Sequence, residues 1–268
     1  KDVLNLLANQ IISHHTGLYD YVEAENILQE KPLPEEIDKD NINIDIPFLY
    51  KEFLESPFSK FKVDRKHFHH LSRMLFSCLV DADRLDTEQF MNLESWQKRK
   101  CSSTVVDLLP KLEAHLQKLQ LDAVDTEVNR IRRKVQEQCS KTSLGEKGFY
   151  SLTVPTGGGK TLSSLLWAMK HAANHAMNRI IIAIPYTSII VQTAGLLKKI
   201  FGEENVLEHH SNFNPDDIKN EEVREKAKLA TENWDYPIIV TTNVQLFESM
   251  FSNRPSECRK LHNIVNSV

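Results

Sequence analysis

The sequence predicts a helical N-terminal part followed by an α/β part that contains a parallel sheet. Apolar residues recur at helical spacing through much of the first 140 residues. From residue 149 onward, short apolar runs rich in β-branched residues alternate with helical patterns. A glycine-rich turn joins the first of these runs to a helix. Such alternation is typical of parallel strands joined by right-handed helical crossovers.

The composition limits the class of protein. A length of 268 residues suits one large or two ordinary domains, and contents of 41% hydrophobic and 26% charged residues are typical of a soluble globular protein. No apolar run approaches the length of a membrane helix. The net charge of −4 argues against a strongly basic nucleic-acid surface but not against a local basic groove. Four separated cysteines without a Cys-x-x-Cys motif indicate reduced thiols in the cytoplasm: Cys78, Cys101, Cys139 and Cys258.

The N-terminal part begins with a predicted helix and a polar turn over residues 1–22. Its first residues look like neither a signal peptide nor an initiation site, so we expect a piece of a longer protein. The turn contains His14 and His15 beside Gly17, a pattern that can ligate a metal. A pair of histidines alone is more often solvated or structural, and both interpretations stay open here.

Residues 67–90 form the strongest helical pattern of the N-terminal part, with apolar residues around most of the helix. Asp81 and Asp83 follow its apolar run and cannot share one helical face, so we expect one of them to face a site. A buried carboxylate there needs a metal or a basic partner, for which Arg73 and Arg84 are the candidates. We expect three further histidines to be surface or structural residues: His67, His69 and His70.

Two further helical patterns fill residues 104–140, and the α/β part follows. We predict strands at residues 149–154, 179–184, 206–207 and 237–241, and the start of another at residues 263–268. The predicted helices run from the glycine-rich turn to about residue 176, then over residues 188–201, 221–233 and 245–251.

The glycine-rich turn matches a phosphate-binding P-loop. Its cradle is formed by Thr156, Gly157, Gly158 and Gly159, whose backbone N–H groups can surround phosphate oxygens. Lys160 would reach the β- and γ-phosphates, and the Thr161 hydroxyl would coordinate Mg²⁺. The general motif has glycine at the position of Val154, which is a mild departure.

The ends of two later strands carry hydroxyl groups that precede helices. Pro185 and Thr187 follow one strand, and Thr241 and Thr242 follow the other. Ligands bind at the carboxyl edge of such sheets, and these residues resemble motifs that hold the phosphates of a single nucleic-acid strand in superfamily 2 helicases. Plain helix capping by the threonines is the alternative.

Taken together, the sequence resembles the CRISPR-associated nuclease–helicases of type I systems, which join an HD-type metal nuclease to a superfamily 2 helicase. The motifs that carry the resemblance are residues 13–18, 79–88, 154–161, 245–249 and 258–263. The resemblance implies an incomplete HD-type domain over residues 1–103, a helical linker over 104–145 and part of a RecA-like lobe over 146–268.

The resemblance also implies cofactors, ligands and partners. Its nuclease would use a divalent transition metal such as Mn²⁺, Ni²⁺, Co²⁺ or Fe²⁺, bound by His14, His15 and Asp83. Asp83 is preferred because the family's late metal-binding aspartate follows an alanine, and Asp81 is the reserve choice. Its helicase would use ATP and Mg²⁺, with Gln136 or Gln138 reading adenine or lying on the surface. The implied partners are single-stranded DNA and the crRNA-guided Cascade surveillance complex, without a membrane.

Two parts of the family pattern fall outside this sequence. The family's opening histidine and His-Asp doublet would precede residue 1, and its Asp-Glu box would follow the strand expected near Ile264. We therefore expect this piece alone to be inactive. One alternative function is an HD phosphohydrolase acting on nucleotides with an attached ATPase. Another is a non-catalytic helicase fragment that docks a partner.

Overall fold

The computed structural model describes residues 9–30, 65–99 and 103–268. Residues 9–13 are helical and lead into the His14–His15 turn. Eleven further helices are described, with these bounds: α1 Tyr21–Glu30, α2 Phe68–Met91, α3 Leu93–Lys98, α4 Val105–Leu121, α5 Glu127–Thr142, α6 Lys160–Asn174, α7 Thr187–Phe201, α8 Glu221–Asn233, α9 Asn243–Phe251, α10 Pro255–Cys258 and α11 Leu261–Ile264. Most of the helices predicted within these ranges are confirmed, whereas Cys101 and residues 1–8 of the predicted N-terminal helix lie outside them.

The sheet has three parallel strands, β1 Ile180–Ile184, β2 Val206–His209 and β3 Ile238–Thr242. Their order is β1-β3-β2, so β3 lies in the centre. Val240 pairs with Ile182 on one side and with Glu208 on the other. These strands confirm three of the predictions and bring the carboxyl ends of β1 and β3 side by side.

The predicted strand at residues 149–154 is not formed in the structure. The outer edge of β1 is already taken, because Arg179 forms a parallel bridge with Ser267 and Val268 exchanges backbone hydrogen bonds with Arg179 and Ile181. Residues 149–154 therefore reach the P-loop without backbone pairing to β1. The tail predicted as a strand forms only this short pairing, after α11.

Two hydrophobic clusters cover the two faces of the sheet. Ile238 and Val240 point into a cluster shared with α4, α6 and α7, while Ile239 between them points into a cluster with Trp234 and Leu207. Successive strand residues face opposite sides, so both faces of β3 are buried, as its continuous apolar run predicts. The strands are thus fixed between two helical layers, and their carboxyl ends are left at the sheet edge.

The N-terminal helices pack directly on the α/β part. Phe76 and Val80 of α2 form a small buried cluster with Cys258 of α10, and Leu18 packs against it. Residues of α2 therefore share a core with the segment that follows α9. Within the described residues, no helix has the length and apolar character required to cross a lipid bilayer.

Candidate nucleotide and metal sites

The P-loop forms a left-handed turn directly before α6. Gly159 caps this helix with φ of 81°, and Gly157 has φ of 82°, a region that residues with a Cβ rarely adopt. Lys160 and Thr161 are the first two residues of α6 and are both exposed. The turn therefore presents the positive N-terminal end of α6, with a lysine and a hydroxyl, toward solvent.

At position 158, glycine is favoured because a neighbouring side chain leaves no space for a Cβ, not because of the φ angle. A Cβ added there would lie 2.3 Å from Cγ1 of Val154 and 3.0 Å from the carbonyl oxygen of Pro155. Val154, the departure from the general motif, is buried at 7% exposure. Its side chain packs beneath the turn, so this sequence departure is accommodated inside the loop.

A cavity of about 860 Å³ opens beside the P-loop. It is lined by the loop and start of α6, the connection from α4 to α5, and one face of α5; the polar lining includes Thr156, Lys160, Thr161, Asp122, Asn129, Arg132, Arg133 and Gln136. Gln136 lines this cavity and accepts a 2.7 Å hydrogen bond from Gln120 through Oε1. Of the two glutamines considered from the sequence, Gln136 is the one that lies at the cavity.

Arg132 is a site residue that the sequence analysis missed. Its Nε and Nη2 atoms donate hydrogen bonds of 2.9 and 2.7 Å to the carbonyl oxygen of Gly157. Arg132 lies one helical turn before Gln136 on α5, and this spacing was the signal that could have identified it. The guanidinium links α5 to the P-loop and adds positive charge beside Lys160.

The strand-end residues differ in what their hydroxyls do. Thr241 is fully buried, and its hydroxyl donates a 2.7 Å hydrogen bond to the carbonyl oxygen of His209. The Thr242 hydroxyl accepts a 3.1 Å hydrogen bond from the backbone N–H of Gln245 and caps α9. Pro185 is exposed and Thr187 is half-buried at the start of α7. Thr241 thus faces the interior, whereas the other three residues lie at the sheet edge.

His14, His15 and Asp83 come together although they are far apart in sequence. Each offers one ligand atom, and these atoms lie within 4.8 Å of one another. Nδ1 of His14 lies 2.5 Å from the carbonyl oxygen of Ile11. Because a carbonyl oxygen only accepts, Nδ1 carries the proton and Nε2 is free for a metal, as in many metal-bound histidines. Two imidazoles and a carboxylate suit a divalent transition metal.

Asp81 faces away from this cluster and has an arginine partner that the sequence analysis did not predict. Its Oδ1 accepts a 2.6 Å hydrogen bond from Nε of Arg259, and Nε2 of His262 lies 3.2 Å from Oδ2. Burial alone would raise the pKa of Asp81, but the hydrogen bonds and charges of His262 and Arg259 hold that pKa below its usual range. Arg73, one predicted partner, bonds instead to carbonyl oxygens of residues 250 and 252. Because Asp81 already forms an ion pair with Arg259, its carboxylate is unsuited to bind a metal.

The remaining histidine and cysteine expectations agree with the described residues. His67, His69 and His70 are exposed at the start of α2. The described cysteines carry free thiols: Cys78, Cys139 and Cys258.

Comparison with known proteins assigns the family. The family model of the DEAD/DEAH box helicases matches residues 133–266, half of the 268 residues. A CRISPR-associated nuclease/helicase Cas3 of Methanocaldococcus jannaschii is 35% identical over 128 residues, covering 45% of this chain and 18% of that protein. The CRISPR-associated nuclease/helicase Cas3 of Haloferax volcanii is 26% identical over 176 residues, covering 53% and 19%. The chain spans about a fifth of the length of these relatives. It belongs to the DEAD/DEAH box helicase family.

Proposed function

We propose that the intact protein is an ATP-dependent translocase on single-stranded DNA joined to a metal-dependent DNA nuclease that degrades foreign DNA in CRISPR interference. The observation that carries the proposal is the presence in one chain of an open P-loop cavity and a separate His–His–Asp cluster. Membership of the DEAD/DEAH box helicase family supports ATP and Mg²⁺ at the cavity. The names of both Cas3 relatives support the CRISPR context and the nuclease.

At the cavity, the exposed Lys160 would neutralise the β- and γ-phosphates of ATP, and the N–H groups of the P-loop would hold their oxygens. Thr161 would contribute its hydroxyl to Mg²⁺. Gln136 would hydrogen-bond the adenine edge, because its carboxamide offers both a donor and an acceptor. Arg132 would keep the loop in place through the carbonyl oxygen of Gly157.

The DNA strand would cross the carboxyl edge of the sheet. Pro185 and Thr187 at the end of β1 and Thr242 at the end of β3 lie side by side, because β1 and β3 are neighbours. Backbone amides at the N-termini of α7 and α9 would hold phosphates without reading bases. The buried Thr241 would support this edge through its bond to His209 rather than by touching DNA.

The nuclease would use the His14–His15–Asp83 cluster in the domain proposed over residues 1–103. A transition metal there, such as Mn²⁺, Ni²⁺, Co²⁺ or Fe²⁺, would supply a water activated for attack on a phosphodiester. The three side chains would hold that metal beside the strand. The linker over residues 104–145 would connect this domain to the helicase lobe proposed over residues 146–268. Its helix α5 also lines the nucleotide cavity.

A surveillance complex that pairs its guide RNA with the target would present the DNA, in the cytoplasm, so that this protein needs little sequence reading of its own. We expect replacement of both His14 and His15 by alanine in the intact protein to abolish metal-dependent cutting of circular single-stranded DNA. The same protein should retain ATP hydrolysis. Unchanged cutting and unchanged bound metal in the double variant would refute the nuclease assignment.

A further inference from the structure

The two elements that carry His14, His15 and Asp83 both contact one segment of the α/β part, residues 250–263, which we name the bracket. The bracket begins with the last two residues of α9 and includes α10 and most of α11. The histidines come from the turn after residue 13, whereas Asp83 lies on α2. These two elements are separate in sequence, so tertiary contacts must set the distance between their ligand atoms.

The histidine turn contacts the bracket through its backbone. The N–H of Leu18 donates a 2.8 Å hydrogen bond to the carbonyl oxygen of Asn253. Gly17 has φ of 121°, and a Cβ there would lie 3.1 Å from that same oxygen. The turn thus approaches the bracket so closely that glycine is favoured, both by its backbone angle and by the available space.

Helix α2 contacts the bracket at three points along its length. Nη2 of Arg73 donates to the carbonyl oxygens of Met250 and Ser252 at 2.7 and 2.8 Å. Ser77 Oγ accepts a 3.0 Å hydrogen bond from the backbone N–H of His262. The third point, between Arg259 and Asp81, lies two residues before Asp83 and is almost fully buried, with side-chain exposures of 3% and 7%.

We propose that the bracket positions the metal cluster, with Arg73 and Gly17 as positioning residues on its two arms. Metal affinity requires ligand atoms held close to their productive geometry by neighbouring groups. Here each arm is tied to the same segment, so the bracket sets the separation of the histidines from Asp83. This inference rests on the proposed metal site. It gives the α/β part a direct role in building that site.

The bracket also belongs to the α/β part by its own contacts. Arg259 donates through Nη1 to Glu232 of α8 at 2.6 Å, and Asn263 donates to the carbonyl oxygen of Asn233 at 3.0 Å. The chain then pairs with Arg179, directly before β1, through Ser267. A displacement of this segment relative to the sheet would therefore be transmitted to the cluster through hydrogen bonds and packed side chains.

The test measures Mn²⁺ affinity by titration calorimetry on the full-length protein. Arg259 is a poor first target, because removing it would leave the Asp81 charge buried and could unfold the protein. We therefore choose Arg73→Met, with Arg73→Lys as the conservative variant that restores a donor. Gly17→Ala tests the other arm. Arg130→Met removes the exposed ion pair of Arg130 with Asp125, outside the bracket and its contacts, and serves as the matched control.

We expect Arg73→Met and Gly17→Ala to weaken Mn²⁺ binding by about 10-fold, while Arg73→Lys and Arg130→Met stay close to wild type. Circular dichroism should show a folded protein in every case. If wild type binds Mn²⁺, His14→Ala loses it, and the folded Arg73→Met and Gly17→Ala variants bind normally, the bracket proposal is overturned while the metal site stands. If His14→Ala binds Mn²⁺ as well as wild type, both proposals fail.

Discussion

The nucleotide site and the metal cluster are built in opposite ways. The P-loop takes its cradle, its lysine and the hydroxyl proposed to bind Mg²⁺ from one stretch, residues 156–161. Its shape follows from two left-handed glycines and one close contact with Val154. The proposed metal cluster takes its candidate ligands from a turn and a distant helix. Its geometry depends on how both elements dock against the bracket.

Because of this difference, we expect the two sites to respond to different mutations. A contiguous site is damaged by changes within its own motif and is tolerant of changes elsewhere. A site assembled from distant segments is damaged by changes to its ligands and also by changes in the contacts that hold those segments together.

The largest effect should follow from loss of the P-loop lysine. Lys160→Ala should lower the rate of ATP hydrolysis by about 100- to 1,000-fold, because it removes the cation expected to neutralise charge on the transferring phosphoryl group. Mn²⁺ affinity should be unchanged. A colorimetric phosphate-release assay checks the rate, with Lys199→Ala, which alters an exposed lysine on α7, as the matched control. Normal ATP hydrolysis by Lys160→Ala would show that the P-loop lysine does not act in the nucleotide site.

The next effect concerns the carboxylate of the cluster. Asp83→Asn should weaken Mn²⁺ binding by about 100-fold, at the upper end of what changes around metal ligands cost, because it replaces a charged ligand by a neutral amide. Asp86→Asn, on the same helix at an exposed position, should have no effect. Titration calorimetry measures both. Equal affinities of the two variants would show that Asp83 is not a ligand.

A smaller effect should come from crowding inside the P-loop. Gly158→Ala places a Cβ against Val154, so we expect about 1–3 kcal/mol of strain and a KM for ATP that rises by about 10-fold. Combining it with Val154→Ala, which removes Cγ1, should recover part of the loss. A double-mutant cycle in KM measures this coupling. Additive effects of the two changes would contradict the packing explanation for the valine.

A further prediction concerns the stability of the fold rather than either site, and it is a pH dependence within the α/β part. His209 accepts a hydrogen bond from Nε1 of Trp234 through Nδ1, so this nitrogen is unprotonated. Burial, then the charges of Lys260 and His210, lower the pKa of His209 to about 4, from 6.5 in the unfolded chain. Between these values the unfolded state binds more protons, so stability should fall as the pH drops from 6.5 to 4, by about 3 kcal/mol.

His209→Asn should flatten this dependence, because its amide oxygen can still accept from Trp234 but does not titrate. Urea unfolding between pH 4 and pH 7.5 measures the slope, and His69→Asn at an exposed site should leave it unchanged. An identical slope in His209→Asn and wild type would show that another group causes the acid sensitivity.

The two sites also differ in how far the sequence predicts them. The P-loop turn, three strands and most helices follow from local patterns, because glycine angles, alternation and helical spacing act over a few residues. His14, His15 and Asp83 were grouped through a family resemblance, since no local pattern relates a turn to a distant helix. The partner of Asp81 was predicted as Arg73 or Arg84 on its own helix, whereas Arg259 reaches it across the fold. The prediction of a strand at residues 149–154 was wrong, because strand pairing requires a free edge of β1 and residues 267–268 pair along that edge.

The most direct test of whether the two sites are built separately is to measure both properties on the same protein preparations. ATP hydrolysis and Mn²⁺ affinity are both measured for wild type, Lys160→Ala and Asp83→Asn in the full-length protein. We predict that Lys160→Ala loses hydrolysis and keeps Mn²⁺ binding, and that Asp83→Asn loses Mn²⁺ binding and keeps hydrolysis. Loss of both properties in either folded variant would contradict the separation of the two sites.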